Sequence, residues 1–276
     1  MSSILTNNSA MVALQTLKSV NTNLAKTQDM VSTGKAIGTA KDNSAIWAIS
    51  KVMESDVSGF KAVSESLSLG ESTVAVAAAG AEQITNLLNE IKEKVVTATG
   101  ENVDHGKITA DVTELTNQVN SIVSASQFNG ANLLNSAGNA GITVLSSLDR
   151  DAAGAVTASN ITVASVDFEA NIDLSDIDVS SASAADGSLA NIETHIQTAV
   201  DGAAALGASA KRISDQNDFV GKVMDAMKSG IGALVDADME EASARLQALQ
   251  VQQQLATQSL SIANQAPQAI LSLFRG

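Results

Sequence analysis

Two histidines, one glycine–lysine stretch and a run of acids are the groups in this sequence whose types and spacing could do chemistry. His105 and His195 belong to no His-Glu-x-x-His pair or other metal-ligand spacing, so we expect both to face solvent. Residues 34–38 lack the spacer and the Gly-Lys-Ser/Thr ending of a phosphate-binding loop, and we interpret them as a turn between helices. A run of acids lacks the twelve-residue calcium-loop pattern and better fits the negative charge favoured at a helix N-terminus. These acids are Asp236, Asp238, Glu240 and Glu241.

These groups do not add up to a catalytic site. No nucleophile, base and orienting group can be assembled, because the histidines lie in segments with no other catalytic cue. The chain contains no cysteine, which excludes disulfides, a thiol nucleophile and cysteine-based zinc sites. Met224, Met227 and Met239 fall at apolar positions of a helical repeat, where packing is the better interpretation than cofactor binding. We therefore predict a protein that is not an enzyme and has no cofactor.

The composition favours long helices that pack closely side by side. Of 276 residues 45% are hydrophobic, yet the chain has one Trp, five Phe, no Tyr and a single Pro, against 45 Ala. Alanine is the best helix former, and so few aromatic rings cannot fill a wide globular core. The net charge of −14 repels phosphate backbones and argues against a nucleic-acid partner. We find no apolar stretch long enough for a membrane span and no recognisable signal peptide in the first twenty residues.

The middle of the chain differs from its flanks. Residues 142–200 hold one basic and nine acidic side chains. Two pairs of apolar residues alternate with small or polar ones, which is strand spacing, and residues 149–154 between them are typical of a loop. The pairs are Ile142 with Val144 and Ile161 with Val163, and a second alternation follows at Ile172, Leu174, Ile177 and Val179. We interpret residues 142–186 as a small, acidic, exposed, β-rich insert.

The C-terminal flank carries a sustained coiled-coil pattern. From Leu189 to Leu234, fourteen positions alternate steps of three and four residues, and thirteen of them are apolar. A second such series runs from Val235 to Phe274, one residue out of phase. We place a joint at about 229–238, where Gly230 and Gly232 weaken a helix. An uninterrupted helix over 239–273 would be about 50 Å long.

The N-terminal flank mirrors this organisation. A four-three series runs from Ala10 through Leu14, Leu17, Asn21, Leu24 and Gln28 to Val31 and stops before Gly34. Helical spacing resumes at about Asp42, breaks between Gly100 and Gly106, and ends at an Asn-Gly turn within 127–130. The predicted fold class is mainly α: a long antiparallel coiled coil or helical bundle formed by the N- and C-terminal halves, with the β-rich insert between them. The predicted segments are 1–38 and 233–276 for an inner coiled coil, 39–141 and 187–232 for a second helical domain, and 142–186 for the insert.

Several ordered blocks at both ends resemble bacterial flagellin, the subunit of the flagellar filament. The N-terminal blocks include Asn7, Ala10, Leu14 and Leu17, then 31–35, 40–45 and 127–130. The C-terminal blocks include 206–208, Arg212-Ile213, 263–265, Pro267 and 271–275. The chain is similar to short, alphaproteobacterial-like flagellins that have only the two inner domains. Met30 departs from the family pattern, because an arginine is usual there.

The resemblance implies a secreted structural subunit that polymerises into the extracellular filament used for swimming. Its partners would be copies of itself, the flagellar export apparatus, a secretion chaperone on the C-terminal helix, and the hook-associated and cap proteins. We expect no membrane insertion. The polymerisation seam would consist of apolar residues with no bulky core to enter. These are Leu14, Leu17, Leu24, Val31, Leu246, Leu249, Leu260, Ile270 and Phe274.

The resemblance also implies a helix equivalent to the one through which a Toll-like receptor detects many flagellins. Its residues here are Leu88, Asn89, Glu90, Ile91, Lys92, Glu93 and Lys94. In well-recognised relatives an arginine stands at the position of Glu90 and a leucine at that of Lys94. Because arginine anchors are often binding hot spots, the reversed charge at Glu90 predicts weak or absent receptor activation.

Two alternatives stay open at this point. One is a flagellar hook–filament junction protein, which is related and also not an enzyme. The other is a membrane-surface amphipathic protein, for which a basic polar face would be expected. The net negative charge of the chain argues against the membrane-surface protein.

Overall fold

The computed structural model describes residues 7–135, 141–151 and 153–273, with side chains up to residue 265. Six helices and four strands make up the described fold, together with one 3-10 turn. In chain order they are α1 (Asn8–Thr33), α2 (Ser44–Ala98), α3 (His105–Ala125), β1 (Gln127–Phe128), β2 (Ala131–Asn132), β3 (Ile142–Arg150), β4 (Val156–Val163), α4 (Phe168–Asn171), the 3-10 turn (Leu174–Asp176), α5 (Ala182–Val235) and α6 (Met239–Leu273). The predicted mainly α fold class with small strand pairs in the middle is confirmed, and so is the unbroken terminal helix.

The chain forms two compact units. Unit 1 consists of residues 1–55 and 226–276, and unit 2 consists of residues 56–225. Helices α2 and α5 contribute to both units, whereas the sequence placed its boundaries at 38/39 and 232/233. The joint expected at 229–238 is shorter, because α5 continues through both glycines and ends at Val235. At Gly230 the methyl group of Met53 lies so close that an added Cβ would be 3.3 Å from it, so glycine here permits close helix contact.

Unit 2 is built around the heptad stripe of α5. Its residues Ile192, Ala199, Leu206, Ile213 and Val220 are fully buried against α2, whose own buried residues share one core with them. The α2 residues are Val63, Leu67, Val74, Ala77, Ala81, Ile84, Leu88, Ile91 and Val95. The α5 stripe predicted from sequence therefore forms the centre of the unit.

The polar residue of the α5 stripe has partners on α2. Ser64 Oγ donates to Asn217 Oδ1 at 2.7 Å, and Asn217 Nδ2 donates to Ser68 Oγ at 3.3 Å. A buried amide costs free energy unless it is hydrogen-bonded, and a single polar residue at a seam position fixes register. Asn217 therefore opposes slippage of α5 along α2.

Strands β3 and β4 form an antiparallel hairpin that covers both long helices. Its pairing runs from Ile142 opposite Val163 to Arg150 opposite Val156. Ser66 Oγ on α2 accepts from the Leu145 amide at 3.2 Å, and Gln216 on α5 donates to the Ser146 carbonyl at 2.9 Å. The inward side chains Val144, Ile161 and Val163 are buried in the unit 2 core. The two strands and their loop confirm the sequence pattern, but the insert is not exposed on both faces.

The second alternating run in the insert is not a strand. Ile172, Leu174, Ile177 and Val179 lie in and around α4 and the 3-10 turn, and all four side chains are buried. Ser188 on α5 holds this segment by accepting from the amide and donating to the carbonyl of Asp178. The strand interpretation was wrong, because inward burial at nearly alternate positions produced the same pattern without a pairing strand.

The Asn-Gly turn between β1 and β2 is confirmed. Asn129 and Gly130 have φ angles of 49° and 83°, as two-residue hairpin turns require. Beyond the turn, Asn132 Nδ2 donates to the Val123 carbonyl at 2.7 Å and ties β2 to the end of α3.

We predict that Gly202→Ala destabilises unit 2. A Cβ at this position would lie 2.6 Å from Cε1 of Phe168 and would also meet Val166, so the packing must shift. We expect the free energy of unfolding to fall by about 1–3 kcal/mol, the usual effect of overpacking, in urea titrations followed by circular dichroism.

Gly207→Ala on the same helix is the matched control. No atom lies within 4 Å of a Cβ built there. We expect its free energy of unfolding to stay unchanged or to rise by up to about 1 kcal/mol, because alanine favours the helix. Equal losses in the two variants would contradict the close contact at Gly202.

Candidate assembly surface of the terminal helices

Helices α1 and α6 pair in antiparallel orientation within unit 1. Asn7 Nδ2 donates to the Ala263 carbonyl at 2.7 Å near one end of the pair. Gln253 Nε2 donates to Asn21 Oδ1 at 2.7 Å in its middle, and Lys35 forms a backbone bridge with Asp236 at the other end. These three points set the register of the pair.

Backbone hydrogen bonds fix the end of the pair where both chains turn. The Ala36 amide donates to the Val235 carbonyl at 2.7 Å, and the Ala237 amide donates to the Gly34 carbonyl at 2.9 Å. Gly34 ends α1 with a φ of 71°, a conformation that costs glycine little. Residues 34–38 therefore form the predicted turn between helices.

Polar side chains complete this joint. Asp238 Oδ1 accepts from the amides of Glu240 and Glu241 at 2.9 and 3.1 Å, so these three acids start α6 as predicted. Asp236 instead lies in the backbone bridge to Lys35. Asp42 accepts from the amide and the hydroxyl of Thr39, and these hydrogen bonds, with Lys26 nearby, hold the pKa of Asp42 below its usual range. The joint is thus organised by local capping and backbone pairing.

The interior of the pair is thin. Val20, Leu24 and Leu249 are its buried hydrophobic cluster, and Leu246 packs against them. The α1 residues that face α6 differ at every second position from the heptad series predicted from the sequence. Ala13, Val20 and Thr27 take the places of Leu14, Asn21 and Gln28. These α6-facing residues are Ala10, Ala13, Leu17, Val20, Leu24, Thr27 and Val31. Both series satisfy 3.5-residue spacing, and the structure takes the one that avoids burying Asn21 and Gln28.

The residues expected to form a polymerisation seam occupy three environments. Leu24 and Leu249 are buried between the helices. Four others, Leu17, Val31, Leu246 and Leu260, are half-buried. Leu14 is 57% exposed. Phe274 and the side chain of Ile270 lie outside the described residues.

Much of the apolar surface of the pair is exposed, and it lies in segments that carry few charged side chains. Met11, Val12 and Leu14 on α1, and Val251, Leu255 and Ile262 on α6, are each between 55% and 64% exposed. Residues 1–17 and 246–274 contain no Asp, Glu, Lys, Arg or His. The sequence series did not select Met11, Val12, Val251, Leu255 or Ile262, although the absence of charge around them was a usable signal.

The helix segment 88–94, for which the resemblance predicts equivalence to a receptor-binding helix, lies in unit 2. Leu88 and Ile91 are core residues, and Asn89 donates to the Thr85 carbonyl. Glu90 and Glu93 are exposed. Lys92 pairs with Glu193 on α5, and Lys94 Nζ lies 2.6 Å from Asp111 on α3. The exposed surface of this helix is therefore acidic, and its lysines are engaged by neighbouring helices.

The two histidines hold the segment that enters α5. His195 is 8% exposed, and its Nε2 lies 3.0 Å from Asp176 Oδ1. His105 starts α3, is half-buried, and places Nδ1 3.1 Å from the Val179 carbonyl. The expectation that both face solvent was wrong for His195, because the segment before α5 folds back over that helix and covers the ring. The structure, in its described part, shows no group of three or more metal-ligating residues.

Comparisons with known proteins identify the family. The N-terminal helical region of bacterial flagellin matches residues 4–139, and the C-terminal helical region matches residues 189–274. A flagellin of Brucella melitensis is 41% identical over the full length of both chains. The chain belongs to the flagellin family. Flagellin FljM of Caulobacter vibrioides is 39% identical over all of this chain and 99% of its own. The predicted resemblance to alphaproteobacterial flagellins is thereby confirmed.

Membership of this family gives the function. This flagellin is a structural subunit of the bacterial flagellar filament, an extracellular structure for motility. Among solved structures, the crystal structure of Bacillus cereus flagellin superposes with a TM-score of 0.48 and 17% identity on 55% of this chain and 86% of its own. Within the described ranges, no helix has the length and apolar character needed to cross a membrane.

We predict that Leu249→Ala loosens the α1–α6 pair of the monomer, whereas Leu255→Ala does not. Leu249 is one of the few buried hydrophobic residues of the pair, and its truncation should cost about 2–3 kcal/mol. Leu255 is 58% exposed and loses little. Hydrogen exchange followed by mass spectrometry should show faster exchange in both α1 and α6 only for Leu249→Ala. Equal exchange in the two variants would contradict the described seam.

Proposed function

We propose that this subunit joins its neighbours in the filament through the α1–α6 pair of unit 1. The observation that carries the proposal is the exposed apolar surface of that pair in a region without charged side chains. The seam would include Leu14, Leu17, Leu24, Val31, Leu246, Leu249, Leu260, Ile270 and Phe274, and the exposed residues Val251, Leu255 and Ile262 extend it.

The energetics favour burial between subunits over solvent exposure. Two helices that share so small a core have little tertiary stabilisation, and isolated helices are marginal in water. Full burial of each exposed Leu, Ile, Val or Met would contribute about 1.5–3 kcal/mol. Residues 1–17 and 246–274 carry no charged side chain, so packing them together desolvates no charged side chain. This avoids a desolvation penalty of several kcal/mol per ion.

The chemistry-bearing groups support a purely structural role. The buried His195 contacts the exposed Asp176, and His105 contacts a backbone carbonyl. Both therefore serve the fold of the segment before α5. We propose that the protein has no catalytic activity and needs no cofactor.

The same exposed surface suggests the partners of the subunit before and during assembly. Val251, Leu255 and Ile262 would attract other apolar surfaces in an unassembled subunit, so a secretion chaperone on α6 has a physical reason to bind there. Passage through the flagellar export apparatus, and contacts with hook-associated and cap proteins at the filament ends, complete the proposed set. Each of these partners would meet the subunit outside the regular lattice of subunits.

Neither alternative function gains support. A membrane-surface helix would carry lysines or arginines along its polar face, and α6 has none from residue 246 to its end at Leu273. The Brucella and Caulobacter relatives that match the whole chain are flagellins, as their names state. A filament subunit is therefore preferred to a junction protein.

We predict that removing residues 239–276 abolishes filament formation. The truncation deletes α6 and leaves α1 without its helical partner, while unit 2 retains its own core. Electron microscopy of the concentrated protein should show filaments for the full chain and none for the truncated one, which should stay soluble and helical. Filaments like those of the parent from the truncated chain would refute the proposal.

A single-atom change separates the role of the surface from the loss of a whole helix. Gln258→Glu places a carboxylate on the exposed face of α6 without altering the monomer's core. Because assembly would have to bury that charge, the critical concentration for polymerisation should rise at least tenfold. Gln83→Glu, at an exposed position of α2, is the matched control, and this variant should polymerise as the parent does.

We further propose that this flagellin activates the Toll-like receptor weakly or not at all. Glu90 presents a negative charge where well-recognised relatives have an arginine, and Lys94 is paired with Asp111 where they have a leucine. Both differences leave Leu88 and Ile91 in the core, so the helix itself is preserved.

The double variant Glu90→Arg/Lys94→Leu should raise receptor signalling above that of the parent. A reporter-cell assay with purified monomer measures this, and Glu82→Arg, about two turns earlier on α2, controls for the change of charge alone. Strong signalling by the unmodified monomer would show the proposal to be wrong.

A further inference from the structure

The turn between β1 and β2 contains the one Asn-Gly dipeptide of the sequence, at residues 129–130. Both residues are exposed. A Cβ built on Gly130 would meet no described atom within 4 Å. The tip of the turn is therefore open to water and leaves room for the backbone to rearrange.

The side chain of Asn129 is free in comparison with that of Asn132, three residues later. Asn132 is 8% exposed, donates from Nδ2 to the Val123 carbonyl and accepts at Oδ1 from the Leu134 amide. Asn129 makes no side-chain hydrogen bond to any other residue that the structure describes. The amide of Gly130 likewise has no acceptor among the described residues.

The carboxamide of Asn129 and the amide of Gly130 can react with each other. The deprotonated nitrogen of Gly130 bonds to Cγ of Asn129 and closes a succinimide ring. The Cγ–Nδ2 bond breaks, and the proton of the Gly130 amide passes through water to the departing nitrogen, which leaves as ammonia. Water then adds to either ring carbonyl and opens the ring to aspartate or isoaspartate. A side chain on the residue after asparagine hinders ring closure, and glycine has none.

Ring closure requires the backbone of Asn129 to rotate about ψ, so the turn must open briefly. Its ladder consists of only two residue pairs, Gln127 opposite Asn132 and Phe128 opposite Ala131. A two-stranded ladder of this length is marginal on its own. The hydrogen bond from Asn132 to the end of α3 holds β2 in place meanwhile, so the tip can open without unfolding unit 2.

We propose that Asn129 deamidates spontaneously in the folded subunit and gives a mixture of aspartate and isoaspartate. This modification does not depend on the proposed role in assembly. Each event adds one negative charge to a chain with a net charge of −14. Isoaspartate also adds a carbon to the backbone of the turn, beside the surface cleft that Asn129 lines together with Leu69, Phe128 and Ile142. Deamidation therefore changes both the charge and the shape of this surface.

Ageing of the purified full chain under native conditions tests the proposal. Peptide mapping by mass spectrometry should show at least tenfold faster conversion of amide to acid at Asn129 than at Asn132, which lies in the same tryptic peptide. Labelling with an isoaspartyl methyltransferase should detect isoaspartate at position 129. Conversion should accelerate as the pH is raised above neutrality, because the attacking nitrogen must lose its proton.

Asn129→Gln is the matched variant, because its longer side chain would have to close a larger ring, and it should give at least tenfold less conversion at this position. The parent chain unfolded in urea gives the rate of the dipeptide without the fold. A native rate within tenfold of the unfolded rate supports the proposal. A slower native rate, or conversion no faster than at Asn132, would overturn it. None of these measurements requires filaments, so their failure leaves the proposed function intact.

Discussion

The terminal helices of this flagellin are limited by how little they can bury on their own. The α1–α6 pair encloses Val20, Leu24 and Leu249, with Leu246 against them, over helices of 26 and 35 residues. Hydrophobic burial is the main favourable term in folding, and so small a core leaves the pair marginal. Exposure of other apolar residues and the scarcity of charge near them fit the proposal that neighbouring subunits complete the core.

Unit 2 forms a larger core than unit 1 although the chain has few aromatic residues. Its long helices α2 and α5 share one core of Ala, Val, Ile and Leu side chains, and Gly202 admits the ring of Phe168 against α5. The β3–β4 hairpin adds Val144, Ile161 and Val163 as a cover. Burial of many aliphatic side chains supplies the hydrophobic stabilisation that large aromatic rings would otherwise provide. Unit 2 can therefore be stable as a monomer while unit 1 stays incomplete.

Periodicity predicted most of this architecture because a buried stripe must repeat at the helical period. The α5 stripe, the break before α3 and the Asn129-Gly130 turn were all visible in the sequence. Features decided by tertiary contact were not. Gly230 was predicted to interrupt a helix, but α5 continues through it and Met53 packs against it. His195 was predicted to face solvent, but the segment that carries Asp176 covers it. On α1, two adjacent series fitted one spacing, and the choice depended on a partner helix at the other end of the chain.

The composition of the outer surfaces reflects a compromise between assembly and solubility. Stripes made wholly of leucine would bury more area, but a monomer that exposed them would associate before it reached the growing filament. The exposed Ala248 and Gln258 interrupt the larger apolar residues of α6, and Lys18 does the same on α1. Each contact is then weak by itself and becomes strong when a subunit engages several neighbours at once, because later contacts form at high effective concentration. A structural subunit that must be soluble alone and stable in a polymer gains both properties from surfaces that are apolar, low in charge and interrupted by small or polar residues.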